Sequence, residues 1–318
     1  MRNLRNLNIL IIVVLLAGLF SCNSRDELFE REQYKKVFAL LSEDGYNVFA
    51  EEHKLADAET ETTGWVAASC GGSLATEEAI SIKMVVDEKV LDRYNKGNYD
   101  VDEDKYAHFL SGDRYDIDNP TIIIPAGERT GRMKIRIRAN GLSPDSVYLI
   151  PLRADTYTAY ELNPVKNNVL YRVLLKNYYA TQTMTSTATT YNFRGKRDGV
   201  NTMGNKQVFP VSGNKVRIMA GDISFESKVS TINDFSIVIE VDNDNKVSIT
   251  SWKNIDVTQI LAGDPDYDPQ YPNIFRIDDD GYKTYKTFLL QYKYVQNGTT
   301  HVMQEELKLE FNKKTENY

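Results

Sequence analysis

Along most of this chain apolar and polar side chains alternate residue by residue. A period of two belongs to half-buried strands and leaves little room for helices. Met133, Ile135 and Ile137 alternate with Arg132, Lys134, Arg136 and Arg138, which makes a strand with one cationic face. Ala79 to Val86, Thr121 to Ile124, Val147 to Leu152 and Asn168 to Tyr178 also read as strands, as do Lys215 to Met219, Phe235 to Val241 and Lys246 to Trp252. Pro125-Ala126-Gly127-Glu128 and Asp242-Asn243-Asp244-Asn245 supply turns. The clearest element comes last. Thr284 to Val295 and Thr300 to Phe311 flank Gln296-Asn297-Gly298-Thr299, and Asn-Gly is the strongest short hairpin cue. Helix signals are few: Asp87 is placed to cap a short helix through Val90, Leu91 and Tyr94, ended by Gly97, and Asp102 to Leu110 has room for another turn or two. The 20 tyrosines, against 2 tryptophans, suit strands with half-wet faces.

The first residues belong to a different class. Arg2 and Arg5 precede the unbroken apolar run Ile9 to Leu16, followed by Ala17-Gly18-Leu19-Phe20-Ser21. That is the layout of a secretory signal, and the run is too short to span a bilayer of roughly 30 Å as a helix. Leu19-Phe20-Ser21-Cys22 resembles a bacterial lipobox, which implies that residues 1–21 are removed and that Cys22 carries acyl chains such as palmitate. Several such chains anchor stably at ~0.8 kcal/mol per buried CH₂. Asn23-Ser24-Arg25-Asp26-Glu27 resembles the tether that sends Bacteroidetes-type lipoproteins to the outer face of the outer membrane, although Arg25 departs from a uniformly acidic tether. The expected location is therefore the outer membrane, lipid-anchored and facing the exterior.

Removing residues 1–21 takes away Arg2 and Arg5 and no acidic residue, so the formal charge moves from −7 to −9. An acidic chain has no global attraction to nucleic acid. Only Cys70 remains beside Cys22, so no intramolecular disulfide staples the mature fold. Its stability rests on burial, for which about 297 residues suffice in one or two cores. The Thr-rich stretch 181–190 interrupts the pattern and reads as a linker. The expected organisation is a signal peptide at 1–21, a tether at 22–33, a first domain at 34–180, the linker at 181–190 and a second domain at 191–318.

Four short motifs fall in order in the first region: Val90-Leu91-Asp92-Arg93-Tyr94-Asn95, Tyr115-Asp116-Ile117, Thr121-Ile122-Ile123-Ile124-Pro125-Ala126-Gly127-Glu128 and Tyr148-Leu149-Ile150-Pro151-Leu152. They resemble the N-terminal β-sandwich domain of Bacteroidetes-type polysaccharide-utilisation lipoproteins, a domain of unknown function that also precedes family 18 endo-glycosidases. Val247-Ser248-Ile249-Thr250, Lys286 to Tyr294 and Glu305-Glu306-Leu307 resemble the β-rich partner domain found behind it. The resemblance implies an all-β fold: an immunoglobulin-like β-sandwich, then a second antiparallel β-barrel or β-sandwich, with short helices only near 87–110. It also implies glycan capture or handling at the cell surface.

Chemistry is not signposted. The family 18 run Asp-x-x-Asp-x-Asp-x-Glu is absent; Asp264-Pro265-Asp266-Tyr267-Asp268-Pro269-Gln270 lacks its leading Asp and ends in Gln. No Gly-x-Ser-x-Gly elbow occurs, and His53, His108 and His301 are too far apart for a metal motif. The same acidic run opens like a Ca²⁺ loop but has Pro269 where Gly is required and Phe275 where the bidentate Glu belongs. No cofactor, metal or catalytic residue is expected, and the chain reads as a non-enzyme.

Sugar binding asks for rings that meet CH faces, mixed with carboxylates and amides that meet hydroxyls. Tyr267 and Tyr271, with Asp266 and Asp268, fit best, in a loop stiffened by three prolines. Trp65, after the polar run Glu59 to Gly64, is second; Trp252, at a strand end, reads as core. The cationic face of Arg132, Lys134, Arg136 and Arg138 reads as a solvated face that blocks edge pairing and could meet an anionic glycan. The expected partners are a glycan ligand, outer-membrane lipid through Cys22, and an outer-membrane transporter complex. Two other functions stay open: a structural component of an uptake complex without a sugar site, and an atypical glycosidase.

Overall fold

A computed structural model describes residues 32–43, 45–56, 60–181 and 190–312. The signal peptide, Cys22, nearly all of the tether and residues 182–189 of the Thr-rich stretch lie outside the described residues.

The first domain runs β1 (Val37–Leu40), β2 (Val48–Lys54), β3 (Thr62–Cys70), β4 (Ile80–Val86), α1 (Glu88–Tyr99), β5 (His108–Phe109), β6 (Tyr115–Asp116), β7 (Thr121–Ile124), β8 (Thr130–Ile137), β9 (Tyr148–Tyr157), β10 (Glu161–Leu162) and β11 (Asn168–Lys176). One sheet has the order β10-β1-β3-β8-β6; the other is β2-β11-β9-β4-β7, with β5 added beside β9. The inward residues of both sheets meet in one core that includes Phe38, Val66, Ile82, Ile122, Ile135, Ile150 and Val169. The alternation seen in β8 is real: Met133, Ile135 and Ile137 are buried, and the basic residues between them are not. Two strand pairs, β1 with β10 and β2 with β11, are parallel and join residues more than 100 apart in sequence. Asp87 caps α1 by accepting from the Lys89 N–H at 3.2 Å. The helix passes through Gly97 and ends at Tyr99, so Gly97 is not its stop. The ring of Tyr46 packs where a Cβ on Gly97 would lie. Val90 and Leu91 seat the helix on Leu149 and Leu170 of the second sheet.

The second domain runs β12 (Tyr191–Arg197), β13 (Val200–Lys206), β14 (Phe209–Pro210), β15 (Lys215–Met219), α2 (Val229–Phe235), β16 (Ser236–Val241), β17 (Val247–Ser251), β18 (Val257–Gln259), β19 (Ile274–Asp279), β20 (Thr284–Gln296) and β21 (Thr299–Phe311). Its larger sheet has the order β13-β12-β21-β20-β18, with β19 also on β20, and faces the sheet β14-β15-β16-β17. The spine is the β20–β21 ladder, in register from Thr284↔Phe311 to Gln296↔Thr299. Asn297 and Gly298 close it with φ of 52° and 76°, the left-handed pair of a type I′ turn. The helix α2 lies outside the 87–110 region where helix was expected. It has no side-chain cap and buries only Ile232, so neither capping nor amphipathic signal announced it. Among the described residues no sheet mixes strands of the two domains, and no helix is long and apolar enough to cross a membrane.

Candidate functional site

The acidic loop between β18 and β19 is tied down from below. Gln291, buried on β20, accepts from the Asp268 N–H at 2.9 Å and donates to the Asp268 carbonyl at 3.2 Å. Buried Asn273 donates to the Ile260 carbonyl and accepts from the Gln291 N–H, both at 2.8 Å. The Lys293 ammonium stands 3.1 Å from Asp264 and 2.8 Å from Asp266. The Asp266 N–H, then Lys293, hold the Asp264 carboxyl below the usual carboxylate range. Asp268 accepts from the Gln270 N–H at 2.9 Å. Tyr267 and Tyr271 share the loop, but both are half-buried. Burial, then the carboxylates of Asp268 and Glu306, push the Tyr271 hydroxyl up. The structure thus brings the four residues together, with both acceptor carboxylates already engaged.

Trp65 is in the middle of β3, not in a loop. It projects from the outer side of its sheet, because its neighbours Gly64 and Val66 are buried. The Arg132 guanidinium lies 4.0 Å above the indole. Gly64 is required on the inner side: a Cβ there would sit 1.8 Å from the Tyr171 hydroxyl. That hydroxyl donates to Glu51 at 2.7 Å and contacts His53 Nε2 at 2.8 Å. His53 is buried, and burial pulls its imidazole down to about 4. The neutral ring donates from Nε2 to Tyr171 and accepts from the Thr62 hydroxyl, 2.7 Å from Nδ1.

An open cleft of about 1320 Å³ lies between the domains. From the first domain come Tyr99, Tyr106 and His108, with the loop 141–147; from the second come residues 227–230, Asn233, Trp252 and Lys253. Asn95 on α1 positions the first wall, since its side chain donates to the Ala107 carbonyl at 2.9 Å and accepts from the Ala107 N–H at 2.8 Å. Tyr99 and Tyr106 then stand 6.4 Å apart. The second wall is fixed by a clamp across the seam. Arg217 on β15 is only 1 % exposed and makes two 2.5 Å hydrogen bonds to the Asp145 carboxylate of the first domain. Its guanidinium is stacked between Phe209 at 4.9 Å and Trp252 at 5.1 Å. Asn177, just after β11, donates to the carbonyls of Ser212 and Lys215. Trp252 is therefore half-buried at the seam rather than in either core.

Sequence reasoning missed this cleft because its rings come from residues 99, 106 and 252. The one available signal was Trp252 at a strand end beside a lysine. The cleft offers rings, serine hydroxyls, an asparagine amide, the Asp102–Lys105 pair (2.6 Å) and the further charges Asp104, Lys228 and Lys253. Among the described residues no three His, Cys, Asp or Glu side chains converge as metal ligands.

A family model for an N-terminal domain matches residues 34–161, and one for a C-terminal domain matches residues 167–310. The second match begins at β11, although that strand pairs within the first sandwich. No curated protein matches the chain. Among solved structures, a protein of unknown function from Bacteroides ovatus aligns at TM-score 0.62 and 13% identity, covering 92% of this chain and 97% of that one. Another B. ovatus protein of unknown function aligns at TM-score 0.59 and 14% identity, covering 89% and 98%. An auxiliary nutrient binding protein from Bacteroides thetaiotaomicron aligns at TM-score 0.56 and 13% identity, covering 82% and 90%. At such identities the likeness is one of fold. The two family matches together span most of the chain, one on each side of residues 162–166, and the solved structures share its two-domain, β-rich architecture.

Proposed function

We propose that this protein is a non-catalytic, surface-anchored accessory lipoprotein that binds a glycan in the cleft between its domains. The observation that carries the reading is the cleft itself, where Tyr99, Tyr106 and Trp252 meet serines, Asn233 and a carboxylate–ammonium pair at a clamped domain seam. Sugar CH faces pack on such rings, and hydroxyls pair with the polar groups. The B. thetaiotaomicron relative described as an auxiliary nutrient binding protein supports the same role. The non-catalytic part of the reading is supported by two of the three histidines being engaged away from the cleft, while His108 stands in the cleft wall with its ring 6.1 Å from that of Tyr148. His53 is sealed in the first core, and His301 is held by Asp198 at 2.7 Å and by Arg197 at 3.1 Å. Cys22 supplies the lipid anchor, and mass spectrometry of detergent-extracted protein should find it acylated at the mature N-terminus.

The test is a binding screen against neutral host and plant polysaccharides, with two double variants. Tyr99→Ala with Tyr106→Ala should weaken binding about 10-fold or more, since two lost ring contacts are worth on the order of 1 kcal/mol each. Tyr267→Ala with Tyr271→Ala should leave affinity unchanged. The reverse result would move the site to the acidic loop. Unchanged affinity in both variants, or hydrolysis of a bound glycan, would overturn the reading.

A further inference from the structure

Period two exports Arg132, Lys134 and Arg136 from β8, with Arg138 just after it, but the structure does not treat the four alike. Arg136 is bound by Asp118 and lies 3.1 Å from Glu61. Arg138 is bound by Asp116 and lies 3.2 Å from Glu61. Those two cations are neutralised where they stand, and so are their acids. Arg132 and Lys134, both exposed, have no carboxylate within 4 Å among the described residues.

Arg132 is nevertheless held in place. Its guanidinium carbon sits over the Trp65 ring, 4.0 Å from the centroid. Stacking on an aromatic face leaves the in-plane N–H fork of arginine free and pre-set for a planar or tetrahedral oxyanion. Lys134 is the cross-strand partner of Trp65 and adds a second positive charge at the same register. The groove around them, about 330 Å³, also includes Asn119, Thr121 and Ile123. Ile123 is 50% exposed, an uncommon exposure for a strand isoleucine, and offers an apolar floor. Asp118 also lines it, but that carboxylate is already taken by Arg136. A chain of formal charge −7 therefore carries a local positive fork beside an aromatic ring.

We propose that the Trp65–Arg132–Lys134 groove on the outer face of the first sandwich is a second saccharide site, specific for acidic sugars bearing a carboxylate or sulfate. It rests on the reading of the protein as a glycan binder and deepens it by naming a substrate class at a place remote from the cleft residues. Arg132 takes the oxyanion in two hydrogen bonds, Lys134 adds charge, and Asn119 and Thr121 meet ring hydroxyls. The arrangement selects against neutral glycans because the fork then loses its partner.

Titration calorimetry at low salt with an oligogalacturonate and with a sulfated heparin tetrasaccharide tests this, with a neutral maltotetraose as control. At least one acidic probe should bind, and maltotetraose should not compete with it. Arg132→Gln with Lys134→Gln should weaken that binding about 10-fold or more, with unfolding temperature unchanged because both residues are exposed. Arg132→Lys, which keeps the charge and loses the fork, should also weaken it several-fold. Tyr99→Ala with Tyr106→Ala should leave it intact, so failure of the cleft reading and failure of this one are separable. Absence of binding to both acidic probes overturns the proposal, as does an Arg132→Lys variant that binds like the parent. Equal capture by anionic phospholipid vesicles overturns it in favour of a lipid surface.

Discussion

The two domains handle buried polarity in opposite ways. In the first sandwich the polar intrusion is a thread whose buried members are uncharged: Thr62, His53 and Tyr171 in a row of hydrogen bonds that leads out to the half-buried Glu51, which also accepts from the Trp65 N–H at 2.9 Å. In the second sandwich the intrusion is charged. Lys206 and Glu305 form an ion pair at 2.5 Å, their side chains 3% and 0% exposed. Tyr292 donates to Glu305 at 2.7 Å and accepts from the Gly221 N–H at 2.7 Å. Burial pulls the Lys206 ammonium down while the Glu305 carboxylate opposes it. A thread whose carboxylate sits at the half-buried end tolerates loss of an uncharged member at the cost of a hydrogen bond, whereas a dry ion pair does not tolerate loss of one charge.

The sharpest way to break that contrast is Glu305→Ala. It leaves Lys206 charged and unpartnered, and urea unfolding should show a loss of about 3–5 kcal/mol. Replacing both, Lys206→Met with Glu305→Leu, should recover most of it. A single-variant loss below about 1 kcal/mol would show that water reaches the pair and that the domains do not differ.

The next effect belongs to the first sandwich and appears only with acid. The unfolded chain takes up the His53 proton near 6.5, while the folded ring resists until about 4. The proton therefore favours the unfolded chain, and stability present above pH 6.5 is lost as pH falls toward 4. The full window is worth about 3 kcal/mol. Urea unfolding of wild type and His53→Gln across pH 7 to 4 should show a steeper loss in the parent, on top of the carboxylate titration both share; parallel slopes would place His53 in contact with water.

Tyr171→Phe should cost about 1–3 kcal/mol, because Glu51 and His53 Nε2 each lose a partner in a dry site. The smallest effect is at the helix: Asp87→Ala removes the cap of α1 and a 2.9 Å bond from Arg153, and should cost about 1 kcal/mol in thermal unfolding. A loss as large as that of Tyr171→Phe would mean that α1 is part of the sandwich core rather than a cover over Leu149 and Leu170.

Local signals were legible and long-range ones were not. Period two found β4, β7, β8, β9, β11, β15, β16 and β17, and Asn297-Gly298 marked the turn of the β20–β21 ladder. Asp87 named the start of α1, because a cap acts on an N–H two residues away. Trp65 was misplaced: a polar run before it looks like a loop, but β3 starts at Thr62 inside that run. Among the basic residues of β8 and Arg138 after it the sequence showed one face; the structure separates two cations bound to carboxylates from two that have none within 4 Å among the described residues.

The amino-acid order alone therefore determined the class of fold, most strand positions and the closing hairpin, since each depends on neighbours within a few residues. Tertiary structure alone decided the parallel pairings of β1 with β10 and β2 with β11, the Arg217–Asp145 clamp and the meeting of Tyr99, Tyr106 and Trp252. The clamp joins residues 72 apart, the parallel pairings join residues more than 120 apart, and Trp252 lies more than 140 positions after Tyr99 and Tyr106. Nothing local in the chain prefers one such partner over another; the choice is made by which faces can be buried together.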